Sequence, residues 1–87
     1  MYVILVYDIE VTRVTKVLKT CRRYLNWVQN SVFEGEISGA KLQALKLALK
    51  RIIQQEEDSV LIYRLRDERA LRKEVMGVEK NSADSFL

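Results

Sequence analysis

Hydrophobic and polar positions follow two different periods along the chain. The first segment, Tyr2–Asp8, is a run of β-branched and aromatic residues with apolar side chains on both faces of a strand. This pattern predicts a central strand that is buried on both sides. Ser59–Leu65 near the other end of the chain has the same two-sided apolar pattern. The sequence therefore predicts two strands that each need a partner layer on both faces.

Two segments with a helical period lie between these strands. Over residues 11–25, apolar residues recur at steps of three and four and predict a first helix, which Asn26 is suited to end. Over residues 39–53 the same spacing predicts a second helix, with Ser38 as its N-cap. The predicted buried stripes are Val11, Val14, Leu18, Cys21 and Leu25 on the first helix, and Leu42, Leu45, Leu49 and Ile52 on the second.

Residues 27–37 are extended by residue type and lack helical periodicity, which predicts two short strands with a turn near residues 29–31. Gly35 in this segment indicates a bulge or a close approach of another group to the backbone. Glu56, Glu57 and Asp58 are predicted to form a solvated turn before the strand Ser59–Leu65.

The C-terminal part of the chain is less strongly patterned. Residues 67–72 are predicted to form a helical turn and residues 73–78 a short last strand. Residues 79–87 are predicted to be a tail outside the single domain of residues 1–78, with Phe86 and Leu87 apolar enough to dock on it.

This order of elements predicts an α+β fold of the ferredoxin-like class, a β-α-β-β-α-β plait with an extra C-terminal strand. Right-handed crossovers place both helices on one face of the sheet. The other face is then bare, although Tyr2–Asp8 and Ser59–Leu65 are apolar on both sides. A second copy packed sheet against sheet about a two-fold axis would cover it, so the pattern predicts a homodimer.

Composition agrees with a small protein that has a partner. The chain has 87 residues, of which 48% are hydrophobic, a large share for one small domain. A net charge of +3 weakly favours a polyanionic partner. The single cysteine, Cys21, cannot form an internal disulfide, and we find neither a membrane-spanning run nor a signal peptide. These features predict a cytoplasmic protein with no membrane association.

The residue types that are missing exclude several kinds of chemistry. The chain has no histidine, which excludes Ser-His-Asp and Cys-His catalysis, and one cysteine without histidine cannot build a structural zinc site. Three scattered glycines do not form a phosphate-binding loop. If the protein is a hydrolase, this composition favours carboxylates that hold Mg²⁺ or Mn²⁺.

Two short motifs resemble a known family. Tyr7-Asp8-Ile9, at the end of the first strand, resembles the tyrosine-aspartate motif of the Cas2 family of CRISPR-associated proteins. Residues 28–36, Val-Gln-Asn-Ser-Val-Phe-Glu-Gly-Glu, closely resemble the central strand segment of that family. The order of elements also agrees along nearly the whole chain.

This resemblance implies a homodimer in which two aspartates flank a cleft that binds a divalent metal. It implies a metal-dependent endonuclease acting on RNA or duplex DNA, which works with the CRISPR integrase in spacer acquisition. By position, Asp8 is the catalytic residue and the ligand of Mg²⁺ (or Mn²⁺), and Phe33 is the ordered aromatic residue. Trp27 is a departure, because some relatives have a basic residue at this point.

Each predicted site residue also has a simpler interpretation. Asp8 precedes a helix, so it is also a candidate N-cap. Arg13 and Lys16 lie near the strand end that carries Asp8 and are predicted to bind nucleic acid, although a basic helix side is more often a solvated face. Tyr7 and Phe33 are predicted to be structural or interface residues, with packing favoured over orientation of Asp8 as the role of Tyr7.

Three functions remain open at this point. The first is a metal-dependent endonuclease that requires Asp8, and the second is a non-catalytic DNA-binding scaffold of the integration complex. The third is a ferredoxin-like RNA-binding or regulatory domain unconnected with CRISPR, although the aromatic-rich strand of RNA-recognition domains is missing. The sequence does not separate the first two, nor does it indicate RNA or DNA as the substrate.

Overall fold

A computed structural model describes residues 1–81 of the chain. Its elements are β1 (Tyr2–Asp8), α1 (Val11–Arg22), β2 (Asn26–Gln29), β3 (Val32–Glu36), α2 (Gly39–Lys50) and β4 (Ser59–Leu65), followed by a short 3₁₀ helix (Glu68–Ala70). The order is the predicted β-α-β-β-α-β. The predicted docking of Phe86 and Leu87 lies outside the described residues.

The four strands form one antiparallel sheet in the order β2-β3-β1-β4. β1 is central, as predicted: its Leu5 lies opposite Phe33 of β3 and opposite Ile62 of β4. β4 is an edge strand of the single chain. Directly opposed residues of an antiparallel pair share a face of the sheet. This register therefore determines on which of the two faces each side chain of β1 lies.

The hydrophobic core lies between the sheet and the two helices. Val3, Leu5 and Tyr7 of β1 point towards the helices and are buried, as is Phe33 of β3. The helices contribute Val17, Cys21, Leu42, Leu45 and Leu49 to the same cluster. Both helices therefore cover one face of the sheet, as right-handed connections require.

Helix α1 is shorter than predicted, and its buried stripe is different. It ends at Arg22 rather than near residue 25, because Arg23 N and Tyr24 N donate to the carbonyl oxygens three residues earlier, at 3.1 Å and 3.0 Å, and this tightened turn leads into β2 at Asn26. Leu25 is still buried at the end of this turn. Including Val11 in the stripe was wrong: Val11 is in the first turn and is 77% exposed, whereas Val17, one turn before Cys21, is completely buried.

Helix α2 ends at Lys50, three residues before the predicted residue 53, and its predicted N-cap is confirmed. Ser38 is extended, and its hydroxyl oxygen accepts a hydrogen bond from Lys41 N at 3.1 Å. This contact satisfies one of the free N–H groups at the start of the helix.

The β2–β3 hairpin turns where the sequence predicts. Asn30 has a φ of +41°, in the left-handed region that asparagine tolerates better than most residues. A β carbon added to Gly35 would lie 3.3 Å from Asn26 Nδ2, so the predicted close approach is confirmed. The irregularity in pairing lies between Trp27 and Gln29 on the opposite strand rather than at Gly35.

The predicted last strand over residues 73–78 is not a strand in the single chain. Instead, side chains at the start of this segment and just after it contact the sheet: the Lys73 ammonium pairs with the Glu34 carboxylate, and the Asn81 amide donates to Trp27 O. A strand requires a backbone ladder, and these contacts supply none. The pairing of this segment with a second copy stays a prediction.

The face of the sheet that the helices leave uncovered, hereafter the outer face, carries Tyr2, Ile4, Val6 and Asp8 of β1. The segment after β4 lies over its Tyr2 end, where Glu68 and Lys73 line a cavity of about 300 Å³ with Tyr2. Burial and the nearby carboxylates of Glu34, Glu68 and Glu36 raise the pKa of Tyr2 to about 12.

The other end of the outer face stays open. On β4, Leu61 and Tyr63 lie opposite Val6 and Ile4, and they are 50% and 55% exposed. None of the helices within residues 1–81 is long and apolar enough to cross a membrane.

We expect a leucine in the core and a leucine on the surface to respond differently to the same substitution. Leu5 is completely buried, so Leu5→Ala should lower the free energy of unfolding by about 2–5 kcal/mol. Leu47 on α2 is 58% exposed, so Leu47→Ala should change it by no more than about 0.5 kcal/mol. Urea denaturation measures both; equal losses would contradict the assigned core.

Candidate functional site

The candidate metal ligand Asp8 is the last residue of β1 and lies on the outer face. Its side chain is exposed, and its Cα is paired with that of Ser59 at the start of β4. The ion pairs found within residues 1–81 do not include Asp8. Its carboxylate is therefore open to a ligand that approaches from outside the chain.

The N-cap of α1 is Glu10 and not Asp8. The Glu10 carboxylate accepts hydrogen bonds from Thr12 N, at 2.8 Å, and from the Thr12 hydroxyl. These bonds lower the pKa of Glu10. The alternative interpretation of Asp8 as a helix cap is thus wrong, because the connection between β1 and α1 places the cap two residues later.

A buried carboxylate next to this site was not foreseen in the sequence analysis. Asp58 was predicted to lie in a solvated turn, but its side chain is completely inaccessible to solvent. Oδ1 accepts from Glu10 N at 2.8 Å and from Arg13 Nη2 at 3.1 Å. Oδ2 accepts from Arg13 Nε at 2.7 Å and from Gln54 N at 2.8 Å. Asp58 thus joins the start of α1 to the loop between α2 and β4.

The two side chains of this ion pair stabilise each other's charged form. The Arg13 guanidinium, helped by the N–H groups of Gln54 and Glu10, holds the pKa of Asp58 far below its usual range despite burial. The hydrogen bond to Asp58 correspondingly raises the pKa of Arg13. The sequence offers one weak signal of this ion pair, the position of Asp58 directly before β4. Its partner Arg13 is 45 residues away in the chain and could not be identified from local sequence.

The two predicted nucleic-acid-binding residues lie in different environments. Arg13 is 19% exposed and directs Nε and Nη2 at Asp58, with Glu57 at 3.5 Å from Nη2. Lys16, one turn further along α1, is exposed to solvent. Contact of Arg13 with phosphate stays a prediction, and the structure gives this side chain another partner.

Tyr7 and Phe33 form an aromatic pair in the core. Their ring centroids are 6.2 Å apart with an angle of 28° between the planes. Tyr7 points to the helix side of β1, and neighbouring strand residues point to opposite faces, so its ring lies on the other side of the sheet from the Asp8 side chain. Burial raises the pKa of Tyr7.

Trp27, where some relatives are basic, has a local structural contact. Its Nε1 donates to Asn30 O at 3.0 Å and ties β2 to the hairpin turn. A tryptophan at this position therefore stabilises the turn and adds no positive charge to the surface.

The donor set of one chain fits a hard divalent cation only in part. A carboxylate oxygen such as that of Asp8 is the kind of ligand that Mg²⁺ and Mn²⁺ prefer. Within residues 1–81, however, no three His, Cys, Asp or Glu side chains lie close enough together to hold a metal ion. A single chain thus offers one carboxylate, and water, phosphate or a second chain would have to provide the other ligands.

The topology and helix placement define a ferredoxin-like fold, and the comparisons with known proteins identify the family. The family model "CRISPR associated protein Cas2" matches residues 1–73. The chain therefore belongs to the CRISPR-associated Cas2 family. The third function considered above, a domain unconnected with CRISPR, is thereby wrong.

Individual relatives are similar over most of their length. A protein of Archaeoglobus fulgidus named "CRISPR-associated endoribonuclease Cas2 2" is 56% identical over 80 residues, 92% of this chain and 87% of the relative. One of Dictyoglomus turgidum, named "CRISPR-associated endoribonuclease Cas2", is 48% identical over the whole of both chains.

Solved structures agree with this assignment. One described as "Crystal structure of cas2" has a TM-score of 0.87 and 49% identity over 95% of this chain and 93% of its own. The Cas2 of Streptococcus pyogenes has a TM-score of 0.79 and 34% identity over 88% of this chain and all of its own.

The Asp58 ion pair makes a specific contribution to acid sensitivity. Because the folded-state pKa of Asp58 is depressed, its stabilisation is complete above the unfolded pKa of about 4 and is lost as the pH falls below it. Asp58→Asn removes this titration and should be less stable than wild type near neutral pH. Urea unfolding at about pH 7, 4 and 3 should show the difference between the two proteins shrinking towards low pH. A difference that is constant or widens would contradict the assignment.

Proposed function

We propose that this protein is a divalent-metal-dependent endoribonuclease whose essential side chain is Asp8. The observation that carries the proposal is the exposed Asp8 carboxylate at the end of the central strand, on the face that the helices leave uncovered. The names of the two relatives above, both called endoribonucleases, support RNA as the substrate. Mg²⁺ or Mn²⁺ is the cofactor that this oxygen ligand favours.

The proposed active form is a homodimer packed through the outer face. Next to Asp8 this face is apolar, with Ile4 and Val6 on β1 and half-exposed Leu61 and Tyr63 on β4. A two-fold axis near the Asp8 end would bury these side chains against their equivalents. It would also bring the two Asp8 carboxylates together, so that the dimer offers two oxygen ligands where one chain offers one.

The proposed chemistry divides between the cation and the chain. A bound divalent cation supplies Lewis acidity, which activates water and offsets charge on the scissile phosphate. The chain's contribution is to hold Asp8 at a fixed strand end, paired with Ser59 of β4. Without the cation, two facing carboxylates would repel each other. Cys21 is not a candidate base, since burial raises its pKa to about 12.

Nucleic acid would be held mainly by charge. The exposed basic side chains of α1 and its C-terminal turn are Lys16, Lys19, Arg22 and Arg23. Such side chains bind the phosphate backbone irrespective of base sequence, and the affinity then falls with added salt.

This basic surface also supports a second candidate function, a non-catalytic scaffold. In that role the dimer would hold DNA while the CRISPR integrase carries out spacer integration. DNA binding by this surface would not require Asp8, because the basic side chains are on α1 whereas Asp8 is on the outer face of the sheet. The two functions are compatible in one protein.

The first test of this proposal is Asp8→Asn. Asparagine keeps the shape of the side chain but removes the negative charge that a hard cation requires, so cleavage of single-stranded RNA with Mg²⁺ or Mn²⁺ should be abolished. Asp67→Asn is the matched control, because Asp67 lies beyond the far end of β4 and bonds to Arg69. Its activity should match wild type.

Cleavage that survives in nuclease-free Asp8→Asn would overturn the catalytic assignment. Wild type without cleavage would favour the scaffold, and spacer integration by the integrase should then tolerate Asp8→Asn.

The second test concerns the dimer. Leu61→Glu places a charge on the outer face and should shift the protein from dimer to monomer in sedimentation analysis, because a buried unpaired charge is strongly unfavourable. Leu47→Glu on α2 is the matched control, since Leu47 is similarly exposed, at 58% against 50%. Dissociation by the α2 variant, with no effect of the β4 variant, would place the interface elsewhere.

A further inference from the structure

The Asp58 carboxylate binds the backbone two residues after Asp8, at Glu10. β1 ends at Asp8 and α1 begins at Val11, so Ile9 and Glu10 alone connect them. Asp8 is paired with Ser59 on β4, and the next residue but one, Glu10, donates its N–H to Asp58 at 2.8 Å. The backbone around Asp8 is thus held at two points, at Asp8 by Ser59 and at Glu10 by Asp58. These two partners are consecutive residues of the chain.

Arg13 in turn holds the Asp58 carboxylate in place. Its Nε and Nη2 bind the two oxygens separately, at 2.7 Å and 3.1 Å, which fixes the plane of the carboxylate as well as its position. Gln54 N, at 2.8 Å, anchors the same carboxylate to the loop that precedes β4. Rotation of Asp58 would break contacts with three segments of the chain at once.

Both oxygens of Asp58 are fully used by these contacts. A carboxylate has about four lone-pair positions, and four donors occupy them here: the N–H groups of Glu10 and Gln54 and two groups of Arg13. The side chain is also completely buried. Asp58 is therefore not a second ligand for a cation at Asp8, although it directly precedes Ser59, the residue of β4 that is paired with Asp8.

We infer that the Asp58–Arg13 pair is a positioning device for Asp8, and that Arg13 acts on the site through Asp58 and not by binding phosphate. This inference rests on the proposed function of Asp8 as a divalent-metal ligand. Partners that hydrogen-bond directly to a metal ligand typically affect metal affinity or activity by roughly 10–100-fold, and a pair that acts through Glu10 N, two residues from the ligand, should have an effect near or below the lower end of this range. Arg13 and Asp58 are positioning residues in this inference, because their hydrogen bonds act on Asp8 through the backbone at Glu10.

The variants Asp58→Asn and Arg13→Lys test this inference. Asparagine keeps the shape of Asp58 but cannot accept four hydrogen bonds, and lysine keeps the charge of Arg13 but loses its two-pronged geometry. Asp67→Asn and Arg69→Lys are matched controls, because that pair has the same chemistry, with Nη2 to Oδ2 at 3.0 Å, at the opposite end of β4. If Asp58→Asn does not fold, Arg13→Lys carries the test.

Three measurements are made on the full-length protein. Amide hydrogen exchange by NMR reports on Glu10 N–H, Mn²⁺-induced broadening of the Asp8 amide signal gives the metal affinity, and fluorescence anisotropy without divalent ions gives the affinity for RNA. We expect faster exchange at Glu10 and an Mn²⁺ affinity lower by up to roughly tenfold in both variants, with unchanged RNA affinity. The controls should match wild type.

Other outcomes separate this inference from the proposed function. Unchanged Mn²⁺ affinity in both variants, while Asp8→Asn abolishes it, overturns the positioning role alone. If Arg13 binds phosphate instead, Arg13→Lys weakens RNA binding and Asp58→Asn strengthens it by releasing the guanidinium, and the inference is wrong. Wild type without Mn²⁺ broadening at Asp8 overturns the proposed metal ligand and the inference with it.

Discussion

The central strand β1 carries apolar side chains on both faces, and the chain's own helices cover only one of them. Val3, Leu5 and Tyr7 are buried by α1 and α2, and this packing gives the domain its core. Ile4 and Val6 face the other way, beside exposed Leu61 and Tyr63. Asp8 ends the same strand on the same side, so the geometry that leaves an apolar face uncovered also places a carboxylate at its edge.

The position of Asp8 depends on polar contacts as much as on this packing. Strand pairing fixes the backbone up to Asp8, and the Asp58 carboxylate holds the N–H group of Glu10, two residues further along the chain. A buried carboxylate is tolerated only when its hydrogen bonds are satisfied, and Arg13 with two backbone N–H groups meets that requirement. The same saturation removes Asp58 and part of Arg13 from direct contact with a ligand, whereas the Asp8 carboxylate at the end of β1 stays exposed.

The sequence predicted the fold well because its signals are local. Two-sided apolar runs gave β1 and β4, helical spacing gave α1 and α2, and Ser38 is an N-cap in the structure as expected. Helix ends were less accurate, since the turn at Leu25 depends on where the next strand must begin. Residues 73–78 were predicted to be a short last strand, but in the single chain they form no ladder with either edge strand of the sheet, β2 or β4.

The site was only partly predictable, because some of its contacts join residues that are far apart in the sequence. The position of Asp8 follows from the strand pattern and from the family motif, but that of Asp58 depends on a contact across 45 residues. Charged residues in a turn are usually solvated, and nothing in their local sequence distinguishes one that will meet an arginine on another helix. The N-cap of α1 was missed by two positions, because the length of a connection between strand and helix is set by tertiary packing.

The most direct test of the account is the stoichiometry of metal binding measured by native mass spectrometry with Mn²⁺. If two Asp8 carboxylates meet at the axis of a homodimer, wild type should carry one Mn²⁺ per two chains, and the monomeric species should carry none. A cation bound to the single chain, or two cations per dimer, would contradict the claim that the uncovered face of the sheet joins two carboxylates into one site.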